Sequence, residues 1–217
     1  MKVSKMNKAC AGIWLKVMAV LAALASLLLV MALVMPALPK EKKSSRVNCS
    51  AQLKQVALGF ALWANENGGR LPMEVAASDG GSKEDALAGN LVPHFTVAAR
   101  EIGDARVLVC PADQKRRKQT TTFANLTTNN VSYFLNADAA YLNQAQIIAG
   151  DRDVALNGSP VRPGLLPIVD PSAVGWGNIL HKGGGNVALV DGSVYQVRDV
   201  QFRKLLETGL TNRLIIP

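Results

Sequence analysis

Two histidines and three cysteines stand in a chain of 217 residues, so metal or nucleophilic chemistry has few places to reside. The most patterned stretch is "HKGGGNVALVDGSVYQV", 181–197, in which His181 and Asp191 could be read as ligands of one ion or as a base with its orienting carboxylate. The residues between them argue otherwise. "NVALV" (186–190) alternates as a strand does, and five residues at about 3.3 Å each put His181 and Asp191 roughly 16 Å apart. Ligands of a single ion lie within a few ångströms of one another. His181 therefore reads as the hydrogen-bonded anchor of a loop. Asp191-Gly192 reads as the two-residue type I′ turn of a hairpin, in which both central residues have positive φ.

The remaining chemistry is sparse. There is no His-x-x-x-His, Cys-x-x-Cys or Gly-x-Ser-x-Gly pattern. The glycines at 183–185 lead into a strand rather than a helix, which argues against a phosphate cradle. "DRD" (151–153) with Asp170 supplies oxygen ligands of the kind calcium takes, but a charged turn is the preferred reading. Cys49 and Cys110 follow the apolar N-terminal run and could pair in an oxidising compartment, closing a loop worth on the order of 4 kcal/mol; both could equally be buried free thiols. No catalytic residue, metal ligand or cofactor is expected. Residues 1–39 hold four lysines and no acid, leaving 20 basic and 16 acidic residues in the rest. That balance is too mild to imply a nucleic-acid partner, and "KRRK" (115–118) reads as a solvated loop.

The elements that must position these residues can be read along the chain. Val17 to Met35 carries no charge over nineteen residues, about 28 Å of helix, and is expected to cross a membrane as an uncleaved anchor. Met35-Pro36 before Ala37 makes a poor signal-cleavage site. Lysines and arginines flank both ends almost equally, so charge does not orient the anchor. A second, amphipathic helix is expected over about 44–67, capped by Ser44 or Ser45, with Leu53, Val56, Ala57, Phe60 and Trp63 on one face and Gly68 or Gly69 at its end. Strands are expected at 105–111, 130–139 and 144–151, and a helix near 199–208. A three-stranded meander built on "NIL", "NVALV" and "SVYQV" should lay one face on the second helix. The organisation is a tip and anchor at 1–39, a helix at 40–70 and a sheet head at 71–217, an α+β fold.

Four pieces in one order resemble a bacterial family associated with prepilin-type processing. They are "NCSAQLKQVALGFALWANENGGRLP" (48–72), "VCPAD" (109–113), "SYFLNADA" (132–139), and His181 followed after nine residues by Asp191-Gly192. The resemblance implies a pilin-like or type II secretion pseudopilin-like architecture, in which an N-terminal membrane helix and a second amphipathic helix carry an antiparallel β-sheet head. It implies a single-pass protein of the bacterial inner membrane, with the N-terminus cytoplasmic and the head periplasmic. Inner-membrane lipid and other pilin-like subunits would be its partners. It also implies a Cys49–Cys110 bridge, a structural role for His181, Asp191 and Gly192, and no catalysis. The alternative is a membrane-tethered periplasmic ligand- or glycan-binding module using Trp63, Trp176 or the loop at 151–175.

Gly12 is the candidate processing position, but it is followed by "IWLKV". Cleavage there would leave Val17, not a glutamate, at the fifth mature position. The carboxylate thought to neutralise a neighbour's N-terminal amine would be missing. Prepilin peptidase is therefore expected to cut this chain poorly. Mass spectrometry of the N-terminal peptide with and without the peptidase checks this, and efficient cleavage after Gly12 would refute it.

Overall fold

A computed structural model describes the backbone of residues 3–34, 41–209 and 211–217, and the side-chain surroundings of 16–31, 46–209 and 211–217. Two compact units emerge, Met1–Ser44 and Ser45–Pro217. The helices are α1 (Val3–Val34), α2 (Glu41–Glu66), α3 (Lys83–Ala88), α4 (Val92–Val97), α5 (Ala99–Ile102) and α6 (Asp199–Leu206). The strands are β1 (Tyr133–Asn136), β2 (Ile147–Asp151), β3 (Val154–Leu156), β4 (Ser159–Pro160), β5 (Gly164–Pro167), β6 (Val174–Trp176), β7 (Gly185–Leu189), β8 (Val194–Val197) and β9 (Arg213–Ile216).

The fold is α+β with antiparallel sheets, but the membrane-crossing helix expected over 17–35 is corrected. No helix among the described residues is long and apolar enough to cross a membrane. The stretch of α1 whose surroundings are described, 16–31, spans about 24 Å at 1.5 Å per residue and opens on Lys16, against a hydrocarbon layer of about 30 Å. Pro36 and Pro39 lie outside the described residues, and Gly12 lies in α1 outside those with described surroundings.

In the larger unit, six strands form one antiparallel sheet in the order β5-β9-β1-β2-β7-β8, and β4-β3-β6 form a second. The period-2 alternation of strands sorts the large sheet into two apolar faces. Tyr133, Leu135, Ala149, Ala188 and Ile215 join Cys49, Leu53, Val56 and Phe60 of α2 in one core. Phe134, Val187, Leu189, Leu214 and Ile216 join Phe202 and Leu206 of α6 with Trp176 in the other. A bulge between Ile147 and Ala149 lets Ile147 enter the second core while Ile148 and Ala149 enter the first. The expectation of one covered face is thereby corrected to two.

Helix α2 buries Cys49, Leu53, Val56, Ala57, Phe60, Trp63 and Ala64, a stripe at helical spacing. It begins at Glu41, ahead of the serines expected to cap it. It ends where Gly68 and Gly69 both take positive φ and the Gly69 amide returns to the Ala64 carbonyl at 2.9 Å. The strand expected at 105–111 is a 3-10 turn over Ala105–Leu108 and another over Pro111–Asp113. The Asp104 side chain accepts from the Arg106 amide, a cap that favours helical over extended backbone. The "NIL" segment is not a strand, and β7 instead takes β2 as its second neighbour. The strand β9, between β5 and β1, is absent from the sequence reading.

The two cores meet glycine where aromatic rings press on the sheet. At Gly185 a Cβ would lie 2.5 Å from the ring of Trp176, which is itself stacked on Phe202 at 4.2 Å. Gly185→Ala is expected to destabilise the protein by roughly 2 kcal/mol through overpacking. Urea unfolding measures it; a change within about 0.5 kcal/mol, the range of a neutral surface substitution, would show that the Trp176–Phe202 stack yields.

Candidate site at the Cys49–Cys110 disulfide and His181

Four segments converge where α2 crosses the large sheet. Helix α2 supplies Arg46, Cys49 and Ser50, and the turn after residue 109 supplies Cys110 and Asp113. The end of β2 supplies Asp151 and Arg152, and the start of β7 with the loop before it supplies Asn186 and His181. Cys49 and Cys110 form a disulfide with Cα atoms 5.0 Å apart, and both residues are fully buried. This decides between the bridge and the free thiols that residue types alone left open.

His181 lies beside the disulfide. Its Nε2 is 3.7 Å from Cys110 Sγ, 3.3 Å from Asn186 Nδ2 and 3.3 Å from Asp151 Oδ2. Asn186 orients the cluster. Its Oδ1 accepts from Ser50 Oγ at 2.9 Å, so its Nδ2 is the donor and gives a hydrogen bond to Asp151 Oδ2 at 2.8 Å. The same nitrogen lies 3.3 Å from Nε2 of His181, so Nε2 faces both an amide donor and the Asp151 carboxylate. The Asn186 amide adds a second bond to Asp151 Oδ2 at 2.7 Å, while Asp151 Oδ1 is buried without a partner.

Burial governs the charges here. It pushes the Asp151 carboxyl up to about 7 against the hydrogen bonds from Asn186 and the charge of Arg46. It pulls His181 down to about 4, with the Arg46 charge acting in the same direction. The His181–Asp151 contact is therefore a contact of a neutral imidazole, not an ion pair of the surface kind. Away from this cluster, His94 is also held neutral by burial, down to about 4, and shares a 2.6 Å hydrogen bond with Ser82 Oγ.

The "DRD" run divides its labour by strand geometry. Asp151 faces Asn186 and His181, while Arg152 turns to Asp113, with Nε and Nη2 at 2.7 and 2.8 Å from the two carboxylate oxygens. Asp113 also accepts from Ser132 Oγ at 2.9 Å. Asp153 Oδ2 accepts from the Ile179 and Leu180 amides at 2.7 and 3.0 Å, pinning the loop that carries His181. Asp170 instead accepts from Ser172 in a separate turn, so the calcium grouping of these acids is not assembled.

Asp191 stands apart from this cluster. Its Oδ1 accepts from the Ser193 amide and hydroxyl at 2.8 and 2.6 Å. The expected type I′ turn is corrected: among these residues only Gly192 has positive φ, +81°, and its amide bonds to the Leu189 carbonyl at 3.0 Å. That is a three-residue loop, a turn followed by a glycine bulge. His181 and Asp191 flank opposite ends of β7, so their spacing measures a strand. Trp63 and Trp176 are buried, which withdraws both as faces for a glycan.

The sequence reading names no metal ligand, yet the donor atoms of Cys49, Cys110 and His181 lie within 4.8 Å of one another. It also leaves Asn186 unnamed and does not bring Asp113, Asp151 and Arg152 to this cluster. The alternation within "DRD" at a strand end was the one available signal; the partners are distant in sequence and invisible to spacing.

No protein-family model matches the chain, and neither does any curated protein or solved structure. The cluster's role thus rests on its own chemistry. Asp113 is fully buried and the Arg152 side chain is 16% exposed, so removing the anion strands a desolvated cation. Asp113→Asn is expected to cost about 3 kcal/mol. Asp104→Asn, which breaks the more exposed Asp104–Arg106 pair, should cost under about 1 kcal/mol. Denaturant unfolding of the two variants side by side checks the contrast, and equal losses would refute it.

Proposed function

We propose that this chain is a pilin-like, pseudopilin-like structural subunit without catalytic activity, whose disulfide-closed head works in the bacterial periplasm. The observation that carries the reading is the N-terminal helix. Val17, Met18, Leu21, Leu24 and Leu28 are each at least half exposed, and a continuous apolar surface of that extent on a helix is an association surface. The like helices of neighbouring pilin-like subunits are its cover.

Two features of the head support the same reading. A buried disulfide fits an exported, oxidising setting. The polar cluster beside it is largely buried, with the His181 side chain 4% exposed and Asp151 fully buried. Its hydrogen bonds are spent on joining α2 to the sheet, which is structural work.

Site-directed crosslinking tests the assembly. Single substitutions Leu21→Cys, Leu24→Cys and Leu28→Cys, and their neighbours along 17–31, are placed in a Cys10→Ser chain and treated with a bismaleimide in cells. Crosslinked dimers whose yield rises and falls with a period of about 3.6 residues are expected. Equal yield at every position, or monomer at every position, would overturn the proposal.

A further inference from the structure

We propose that the Cys49–Cys110 pair, once reduced, forms with His181 a three-donor site for a thiophilic divalent ion such as Zn²⁺. Zinc favours a tetrahedral arrangement with Zn–S of about 2.3 Å, Zn–N of about 2.0–2.1 Å and Zn–O of about 2.0–2.2 Å. Those bond lengths require an S···N separation of about 3.5 Å between neighbouring ligands. The structure has Cys110 Sγ at 3.7 Å from His181 Nε2, and the donor atoms of Cys49, Cys110 and His181 all lie within 4.8 Å of one another. One sulfur and the imidazole are thus already spaced for one ion. The two sulfurs must part from bonding distance to roughly 3.8 Å.

The donors are also prepared chemically. His181 turns Nε2 toward Cys110 Sγ at 3.7 Å, the nitrogen that a metal ion would take. Asp151 is fully buried with Oδ2 at 3.3 Å from the same nitrogen, an anion beside the place of the cation. Two thiolates and the carboxylate carry three negative charges. A divalent ion and the Arg46 guanidinium, which acts on both Asp151 and His181, would neutralise them.

The reaction balances as follows. A dithiol reductant gives two electrons and two protons to the Cys49–Cys110 bond, which breaks to two thiols while the reductant closes its own disulfide. Binding of Zn²⁺ displaces the two thiol protons to solvent. Disulfide and metal are therefore alternative closures of the same contact between α2 and the turn at 110–113, and the metal form would hold the head together before oxidation.

Cobalt is the probe. Full-length Cys10→Ser protein is reduced with a phosphine, freed of it under anaerobic conditions, and titrated with Co²⁺. One equivalent should bind with thiolate-to-cobalt charge-transfer absorption and the visible bands of a tetrahedral ion, and the oxidised protein should show neither. His181→Gln should weaken binding at least tenfold. Zn²⁺ should displace Co²⁺, and zinc at a hundredfold over its Kd should raise the melting temperature of the reduced protein by roughly 5–10 °C. If reduction unfolds the chain, zinc should restore its near-ultraviolet circular dichroism. Absence of the charge-transfer band, equal affinity in His181→Gln, or failure of zinc to restore the folded signal would each overturn the proposal.

Discussion

The attachment of α2 to the large sheet is the constraint on which the rest of the head depends, and it is made by a polar knot rather than by apolar packing alone. The Cys49–Cys110 bridge ties the helix to the turn at 110–113, and closing a loop of 61 residues contributes on the order of 4 kcal/mol in the chain-entropy model. The same turn holds Asp113, whose bidentate pair with Arg152 reaches the end of β2. From there Asp151 and Asn186 carry the network into β7, and Ser50 returns it to α2. Buried polar groups are tolerable only when matched, and here nearly every member finds a partner on a different element.

The helices on the two faces of the large sheet also fix which of its residues can be large. Tyr133 and Leu135 look toward α2, while Phe134 looks toward α6. With both faces covered, polar alternation gives way to a contest between ring and backbone, settled by glycine. Gly150 and Gly185 lie under Phe134 and Trp176, and a Cβ at either would meet ring carbons at about 2.5–2.6 Å. In the second, three-stranded sheet, β6 delivers Trp176 to that aromatic stack.

Much of this frame was legible in the residues. The stripe from Cys49 to Ala64, the glycine stop at 68–69, the strands at 133–136 and 147–151, the hairpin at Asp191-Gly192 and the helix at 199–206 all follow from local period and turn chemistry. The failures have local causes too. Four apolar residues at 105–109 resemble a strand, but the Asp104 cap and Pro111 turn them helical. The segment 152–175 reads as a proline-rich connector because its strands are only two to four residues long, too short to show a period. The final "RLII" becomes a central strand only because β1 and β5 leave a gap that it fills. Nineteen uncharged residues argued for a membrane crossing, yet no helix among the described residues meets that length and apolarity.

By itself the sequence determined where the chain could bend, which faces of its helices and strands were apolar, and that His181 and Asp191 stand a strand apart. Those properties are set by neighbours three or four residues away, through dihedral preference and periodicity. Only the tertiary structure decided that Cys49, Cys110, His181, Asp151 and Asn186 share one buried cluster. Their separations along the chain run to more than a hundred residues, and no local rule reports which strand ends meet under which helix. The sheet order, with β2 between β1 and β7, brings the carboxylate to the histidine, and burial then sets their charge. The carboxylate beside His181 is, through that pairing, Asp151 and not Asp191.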